Sequence, residues 1–262
     1  MNMSKFKFKR FYQGDLPHHQ LEGCILAITL RLNFTLPKQI LKELRQMKID
    51  YHKNRKNVEE DDLNLFIENY HKTRYEHYDD YLDKYNSNRI NLLEHEYLSV
   101  VKESLHFLHL KKYFLISYCV MSNHVHMLIK PLINTNVEDK PYYSLAQIMF
   151  SFKRYTSGVF KELPDYVSPF WRTEFYDHRI RDDKDFFYQL QYIKNNPVKA
   201  GLIKDSKNWP GLYECDLNDL DGLYALEDLY AMDVLESYGD LYLLDVLDDM
   251  EELDDLDGLV DK

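Results

Sequence analysis

Two histidines placed two residues apart are the first feature of this chain that could do chemistry. They lie in the run from Tyr118 to Lys130, which is otherwise mostly apolar. Because successive side chains of a β-strand point to opposite faces, His124 and His126 share one face and Val125 lies on the other. Two neighbouring imidazoles on a strand can supply two ligands of a divalent metal ion. The pattern predicts a metal site whose third ligand comes from elsewhere in the chain.

A tyrosine and an asparagine four residues apart could act beside such an ion. Metal-assisted cleavage of a phosphodiester needs a Lewis acid and a nucleophile held in line with the leaving oxygen. A tyrosine can be that nucleophile and form a covalent phosphotyrosine. Tyr192 and Asn196 lie one turn apart on a predicted helix. Two alternatives remain open: Tyr155 as the nucleophile, and Asn196 as part of a helix end before Pro197.

The elements that must position these residues follow from periodicity and from capping residues. Charged, tyrosine-rich segments without Gly or Pro occupy residues 48–98 and favour amphipathic helices that cover a sheet, with a solvated linker as the alternative. Two further β-strands are predicted at Cys24–Leu32 and Phe170–Ile180. The helices predicted in the rest of the chain are Lys38–Met47 after Pro37, Leu92–Leu110, Ser144–Gly158 and Lys184–Asn196, the last one ended by Pro197.

The charge of the chain is divided unevenly along its 262 residues. The net charge is −11, but 18 of the 44 acidic residues and one of the 33 basic residues lie at positions 214–262. Residues 1–213 therefore carry an excess of about six positive charges, and the remainder is a strongly acidic, Leu- and Tyr-rich tail. This asymmetry is typical of an acidic tail on a nucleic-acid-binding domain.

Cysteine content and hydropathy indicate the cellular compartment. The three cysteines are widely spaced and form neither a CxxC pair nor a disulfide framework, which fits a reducing environment. No apolar run approaches the roughly 18 residues of a membrane span, and the basic N-terminus is not followed by an apolar segment. The sequence predicts a cytoplasmic protein with no membrane partner.

Several short motifs occur together in an order that resembles a known family. They are Met121-Ser-Asn-His-Val-His126, Phe152-Lys-Arg-Tyr-Thr156, Phe170-Trp171 followed by Glu174-Phe-Tyr-Asp-His178, and Tyr192-Ile-Lys-Asn-Asn-Pro-Val-Lys-Ala-Gly-Leu202. Each motif is weak alone, but the combination resembles the REP-associated tyrosine transposases. These are relatives of the IS200-like single-strand transposases that carry the HUH motif. The resemblance runs from about residue 11 to residue 213, and Ser122 stands where the family usually has proline.

The resemblance implies a fold, a metal centre and a reaction. The fold would be α+β, a ferredoxin-like antiparallel sheet with helices packed on it. His124, His126 and Asn196 would bind Mg²⁺ or Mn²⁺, with Asn196 at the position where insertion-sequence relatives have glutamine. Imidazole ligands are tolerated better by Mn²⁺ than by Mg²⁺. Tyr192 would cleave single-stranded DNA next to a short hairpin, leaving a 5′-phosphotyrosine and a free 3′-hydroxyl.

Aromatic and basic side chains near these motifs are the candidates for DNA binding, by base stacking or by phosphate contact. For Trp171 the alternative is an ordinary core position. For the segment that holds Glu174, Asp177 and His178 the alternative is a salt bridge with Arg172 or Arg179. The candidate DNA-binding residues are Lys153, Arg154, Tyr155, Trp171, Arg172, Tyr176, His178, Arg179 and Lys199.

The predicted organisation is a catalytic domain over residues 1–213, with a helical insertion at about 48–110, and an acidic tail over 214–262. The tail could dock on the basic body and restrain it, or be a solvated or partner-binding segment. The expected function is that of a metal-dependent DNA strand transferase and endonuclease. The alternatives are a hairpin-binding protein that does not cleave and a phosphoesterase that uses water. The sequence leaves monomer and homodimer equally open.

Overall fold

The computed structural model describes residues 11–13, 17–19, 23–85, 90–136 and 142–216. The predicted acidic tail lies outside the described residues from position 217 onward. Contacts divide the chain into two compact units: Phe34–Asn88 forms one, and the residues before and after it form the other. None of the described helices is both long and apolar enough to cross a membrane.

The larger unit is built on an antiparallel sheet of five strands: β3 (Leu26–Arg31), β4 (Tyr113–Val120), β5 (His124–Pro131), β6 (Tyr176–Arg179) and β7 (Leu212–Glu214). Their order across the sheet is β6-β3-β5-β4-β7. The first four follow the ferredoxin-like order, in which the fourth strand lies beside the first and the third beside the second. The α+β, ferredoxin-like prediction is confirmed. Two short strands, β1 (Phe11–Gln13) and β2 (Pro17–His19), pair separately.

Helices of this unit cover both faces of the sheet. On one face, α5 (Asp183–Lys199) packs Phe186, Leu190 and Ile193 onto apolar side chains of β3, β4 and β5. On the other face, α3 (His95–Leu108) contacts β4. There the Tyr113 hydroxyl donates to the carbonyl of Leu105. The helix α4 (Leu145–Phe160) begins at a Ser144 capping box and packs on α3.

The smaller unit is a pair of antiparallel helices, α1 (Lys38–Arg55) and α2 (Glu60–Lys84). Tyr51 of α1 stacks on Tyr70 of α2 with ring centroids 4.1 Å apart, and Glu43 lies 2.9 Å from His77. Because residue 43 meets residue 77 while residue 51 meets residue 70, the two helices run in opposite directions. The sequence prediction of a helix ending at Met47 was too short by two turns.

Two other predicted boundaries differ from the structure. The predicted strand Phe170–Ile180 is a strand only at Tyr176–Arg179, where it pairs with β3. The preceding Phe170 and Trp171 are buried in an irregular segment. The predicted stop at Asn196 is also wrong, because α5 continues through Pro197 to Lys199. Proline removes one hydrogen bond to the previous turn and its ring crowds the carbonyl there. Because Pro197 is only two residues from the end of α5, any distortion affects little of the helix.

Candidate metal and nucleophile site

The two histidines of β5 lie side by side on the face of the sheet that α5 covers. Cross-strand register places Thr29 opposite His126 and Arg31 opposite His124, while Ala27 lies opposite Leu128. Alternation along each strand puts all of these side chains on one face. Leu128 and Ala27 belong to the apolar cluster under α5. The face is therefore apolar at one end and polar at the end where the histidines lie.

The imidazole rings converge through their Nε2 atoms. His124 Nε2 and His126 Nε2 are 2.9 Å apart, and both side chains are buried. The tight hairpin Met121–Asn123 between β4 and β5 fixes this end of the strand, since the Met121 N–H donates to the carbonyl of His124 at 2.8 Å. A second anchor is the bond from the N–H of Leu92 to the carbonyl of Ser122 at 2.8 Å. Ser122 thus occupies the turn where the family usually has proline.

The outer nitrogen of each ring meets an oxygen. His124 Nδ1 lies 2.6 Å from the side-chain oxygen of Asn123, and His126 Nδ1 lies 2.8 Å from the hydroxyl of Thr29. An amide oxygen can only accept, so His124 carries its proton on Nδ1 and directs the lone pair of Nε2 inward. The Thr29 hydroxyl can accept a hydrogen bond from the Nδ1–H of His126 in the same way. Both rings are therefore oriented as metal ligands usually are.

Asn196 completes the cluster from α5. Its side-chain amide nitrogen lies 3.0 Å from His126 Nε2, and the residue is fully buried. A half-turn of the amide group about its bond to Cβ exchanges its nitrogen and oxygen and brings the oxygen to the same place. Neighbouring ligand atoms of an octahedral ion with bonds of about 2.1 Å are about 3.0 Å apart. The observed separations of 2.9 and 3.0 Å suit such an ion.

Tyr192 lies one turn before Asn196 on α5 and beside the same histidine. Its ring is edge-on to that of His126 with centroids 6.0 Å apart, and it stacks on Tyr188 at 6.2 Å. The ammonium of Lys199 lies 3.3 Å from the Tyr192 hydroxyl and donates to it. Tyr192 is half-buried and Lys199 is exposed. One helix therefore carries the tyrosine, a cation on its hydroxyl and the third member of the cluster.

The alternative nucleophile lies in a different setting. Tyr155 is on α4 and is exposed, and its hydroxyl donates to Glu103 at 3.1 Å. That hydrogen bond to a carboxylate, with smaller contributions from burial and from the negative charge, raises the pKa of Tyr155. All three contributions oppose formation of a phenolate. Tyr192 is in ring contact with His126, whereas Tyr155 bonds to Glu103 on α3.

Some of the predicted DNA-binding residues hold the structure together. The ammonium of Lys153 donates to the carbonyls of Arg172 and Thr173 at 2.8 and 2.7 Å, and burial lowers its pKa to about 8. Trp171 is buried and its indole N–H donates to the Thr156 hydroxyl at 2.8 Å. This burial matches the core alternative for Trp171. DNA contact by these residues stays a prediction.

The other candidates lie on or near the sheet. Tyr176 is paired with Thr29 and His178 with Ala27, so both are on the face of the histidine pair, whereas Arg179 alternates to the other face. His178 Nε2 lies 2.8 Å from the carboxylate of Asp185 at the start of α5. Arg172 is half-buried and Arg154 is exposed. The structure thus places Tyr176 in the same row across the sheet as Thr29 and His126.

Two contributors to the site were not singled out from the sequence. Thr29 is an unremarkable residue of an apolar strand, and only the register between β3 and β5 brings it to His126. Asn123 precedes the histidine pair directly, and its short polar side chain next to a candidate ligand was a usable signal. Register cannot be read from a single sequence, which is why Thr29 was missed.

Comparison with known proteins fits this geometry. The family described as Transposase IS200 like matches residues 84–196, a segment that contains both histidines, Tyr192 and Asn196. The matched segment covers less than half of the chain and is similar to the IS200-like transposases. Most of the α1–α2 unit and Lys199 lie outside the matched residues.

Individual relatives carry the same family resemblance. The chain is 32% identical over 97 residues to a protein of Haemophilus influenzae named as a REP-associated tyrosine transposase, covering 36% of this chain and 55% of the relative. It is 42% identical over 40 residues to the REP-associated tyrosine transposase of Escherichia coli, covering 15% and 24%. The chain thus spans about half the length of the first of these relatives and a quarter of the second.

One solved structure resembles this chain in part. It is described as a REP-associated tyrosine transposase bound to a REP hairpin, and it superposes with a TM-score of 0.45 and 15% sequence identity. The superposition covers 74% of this chain and 79% of the other.

Proposed function

We propose that this protein is a metal-dependent DNA strand transferase and endonuclease that cleaves and rejoins single strands next to short hairpins. The observation that carries the proposal is a cluster centred on His126. Its Nε2 lies 2.9 Å from His124 Nε2 and 3.0 Å from the side-chain amide of Asn196, and Tyr192 lies one turn before Asn196 on the same helix. A nucleophile and three potential metal ligands thus share two rigid elements.

His124, His126 and Asn196 are the residues that would hold a divalent ion. The tautomer fixed by Asn123 leaves a lone pair on His124 Nε2, which is the form a metal ligand requires. When bound, Mg²⁺ or Mn²⁺ supplies Lewis-acid polarisation of the scissile phosphate. Two imidazole nitrogens and one amide oxygen favour Mn²⁺ over the oxygen-preferring Mg²⁺.

Tyr192 supplies the nucleophilic oxygen in this proposal. The phenolic oxygen bonds to phosphorus, the bond from phosphorus to the 3′ oxygen breaks, and that oxygen gains a proton while the phenol loses one. The products are a 5′-phosphotyrosine and a free 3′-hydroxyl, and the reverse attack by a 3′-hydroxyl rejoins the strand. The ammonium of Lys199 near the phenolic oxygen stabilises negative charge there as the proton leaves.

The DNA substrate is inferred from the family likeness and from surface chemistry. Both named relatives are REP-associated tyrosine transposases, and the resemblance to that family implies unpaired DNA beside a hairpin. Tyr176 pairs with Thr29 on the face of the sheet that carries the histidine pair. Its aromatic ring could stack on an unpaired base.

The decisive experiment is incubation of the full chain with Mn²⁺ and a labelled single-stranded DNA that carries a hairpin, followed by denaturing electrophoresis. The wild type is expected to give a covalent protein–DNA band, and Tyr192→Phe none, while DNA binding persists. Tyr188→Phe is the matched control, since it removes a hydroxyl from the ring stacked on Tyr192. Tyr155→Phe tests the alternative nucleophile, and it should leave the covalent band unchanged if Tyr192 is the nucleophile.

Three results would contradict the proposal. A band that persists in Tyr192→Phe would remove the assignment of the nucleophile. Cleavage without any covalent band would indicate water as the nucleophile. Hairpin binding without any cleavage in Mn²⁺ would indicate a binding protein.

A further inference from the structure

The α1 helix carries a row of basic side chains along one face. At 100° per residue, Lys38, Lys42, Arg45, Lys53 and Lys56 fall within about 60° of a common direction. All five are exposed. Lys38 and Lys56 are 18 residues apart along the chain, which is about 27 Å at 1.5 Å per residue. These five residues are called the basic stripe below.

The basic stripe lies opposite the side of α1 that packs. Ile40, Leu44 and Tyr51 are the buried residues of the helix, and they lie about 200–240° from Lys38. Tyr51 is the residue that stacks on Phe66 and Tyr70 of α2. The stripe therefore points away from α2 and is open to a partner of this unit.

The acidic residues of α1 lie on a different side of the helix from the stripe. Glu43 and Asp50 lie about 120–140° from Lys38, on the flank that leads toward the packed side. Glu43 accepts from Gln39 at 3.0 Å and contacts His77, while Asp50 accepts from Gln46 at 3.1 Å. Nothing acidic on α1 itself interrupts the stripe.

The arrangement costs helix stability. Lys38 and Lys42 are four residues apart, Lys42 and Arg45 three, and Lys53 and Lys56 three. Like charges at these spacings destabilise a helix by about 0.2–0.5 kcal/mol each. An ordinary solvated face mixes the two signs and avoids this cost.

The potential beside the stripe affects a neighbouring histidine. His52 lies about 40° from Lys38, beside the stripe. Burial, and then the positive charges of Lys48, Arg55 and Lys56, lower the pKa of His52. Of these three charges, Lys56 belongs to the stripe, and Lys48 and Arg55 lie on its flank.

We propose that the basic stripe is a second DNA-binding surface, which contacts the phosphodiester backbone without reading sequence. It goes beyond the catalytic site, because it lies in a unit whose described helices begin well before residue 84, where the transposase match starts. The inference rests on the proposed function only in taking DNA as the polyanion. A straight row of cations on one helix neutralises backbone phosphates and releases their counterions.

The test measures the salt dependence of DNA binding by fluorescence anisotropy. A Tyr192→Phe background prevents covalent attachment, and the probes are a hairpin with single-stranded flanks and an unstructured strand of equal length. The stripe variant is Lys42→Gln, Arg45→Gln, Lys53→Gln and Lys56→Gln. Glutamine has nearly the same helix propensity as lysine and arginine, so α1 should be retained, which circular dichroism checks.

A matched control removes four exposed lysines elsewhere: Lys72→Gln, Lys84→Gln, Lys161→Gln and Lys204→Gln. Both variants change the net charge equally, so a general electrostatic effect would be the same in both. The stripe variant is expected to reduce the slope of log K against log salt by about 3 on the hairpin probe, and the control by less than 1. Affinity at low salt should fall by a hundredfold or more in the stripe variant alone.

An unchanged slope in the stripe variant, or an equal fall in both variants, would overturn the proposal. The covalent-band assay of the unmutated chain is independent of this outcome. A missing band with a reduced slope would remove the proposed reaction and leave the stripe as a DNA surface. A normal band with an unchanged slope would leave the proposed reaction in place and remove the stripe as a DNA surface.

Discussion

The side-chain oxygen of Asn123 lies 2.6 Å from Nδ1 of His124, the residue that follows it in the chain. Two neighbouring residues rarely bond through their side chains on a strand, where they point to opposite faces. Asn123 can do so because it belongs to the turn before β5 and not to the strand itself. Its backbone is fixed in turn, since its carbonyl accepts from the N–H of Leu32 at 2.9 Å. The pair sets the tautomer of the first candidate ligand.

Removing that acceptor should weaken metal binding. Asn123→Leu leaves His124 free to place its proton on Nε2, which cannot then bind an ion. We expect the affinity for Mn²⁺, measured by isothermal titration calorimetry, to fall by about 10–100-fold. Asn123→Asp keeps an acceptor at the same place and should bind at least as tightly as the wild type. An affinity of Asn123→Leu within twofold of the wild type would contradict the role of Asn123.

Asn196 can be tested against its own neighbour. Asn196 is buried against His126, whereas Asn195 is exposed on another side of the same helix turn. Asn196→Ala should weaken Mn²⁺ binding and suppress the covalent DNA band, while Asn195→Ala should leave both unchanged. Asn196→Asp restores an oxygen ligand and adds charge, so its Mn²⁺ affinity should recover. Equal effects of the two alanine variants would indicate a role in helix stability alone.

Lys199 should affect the rate of attack by Tyr192. Its ammonium lies 3.3 Å from the phenolic oxygen and 5.0 Å from the ring centroid. A hydrogen bond from a charged donor contributes about 1.5–3 kcal/mol. Lys199→Gln should therefore slow formation of the covalent band by about 10–100-fold at saturating DNA, measured in single-turnover time courses. Lys204→Gln, another exposed lysine, is the control and should react at the wild-type rate.

Much of the site was predictable from the sequence because it depends on local spacing. The His124 and His126 pair needs only the alternation of a strand, and the Tyr192 and Asn196 pair needs only the turn of a helix. What joins the two pairs is the packing of α5 on the sheet through Phe186, Leu190 and Ile193. The apolar spacing of those residues predicted a buried face, but not which strands it covers.

Contributions that depend on register were not predictable. Thr29 reaches His126 because β3 pairs with β5 in one register, and a shift of one residue would turn its side chain to the opposite face. The segment around Trp171 has the aromatic composition of a strand, yet only residues from Tyr176 onward pair with β3. The segment around Trp171 is instead held by the burial of its indole and by the bond from the indole N–H to Thr156.

Lys153 makes stability depend on pH in the alkaline range. Burial lowers its pKa to about 8 in the folded protein, whereas an unfolded lysine titrates near 10.4. Between these values the unfolded chain binds the proton and the folded chain does not, so this residue increases stability as the pH rises. Below about pH 8 both states are protonated and the increment is absent.

The comparison of wild type with Lys153→Met isolates this effect. The free energy of unfolding, measured by urea denaturation, should rise with pH relative to the variant by about 1–3 kcal/mol between pH 8 and pH 10. Tyrosine ionisation acts on both proteins and cancels in the difference. Lys161→Met, at an exposed position, should run parallel to the wild type. A constant difference between wild type and Lys153→Met across this range would show that the ammonium bonded to the carbonyls of Arg172 and Thr173 titrates as it does in the unfolded chain.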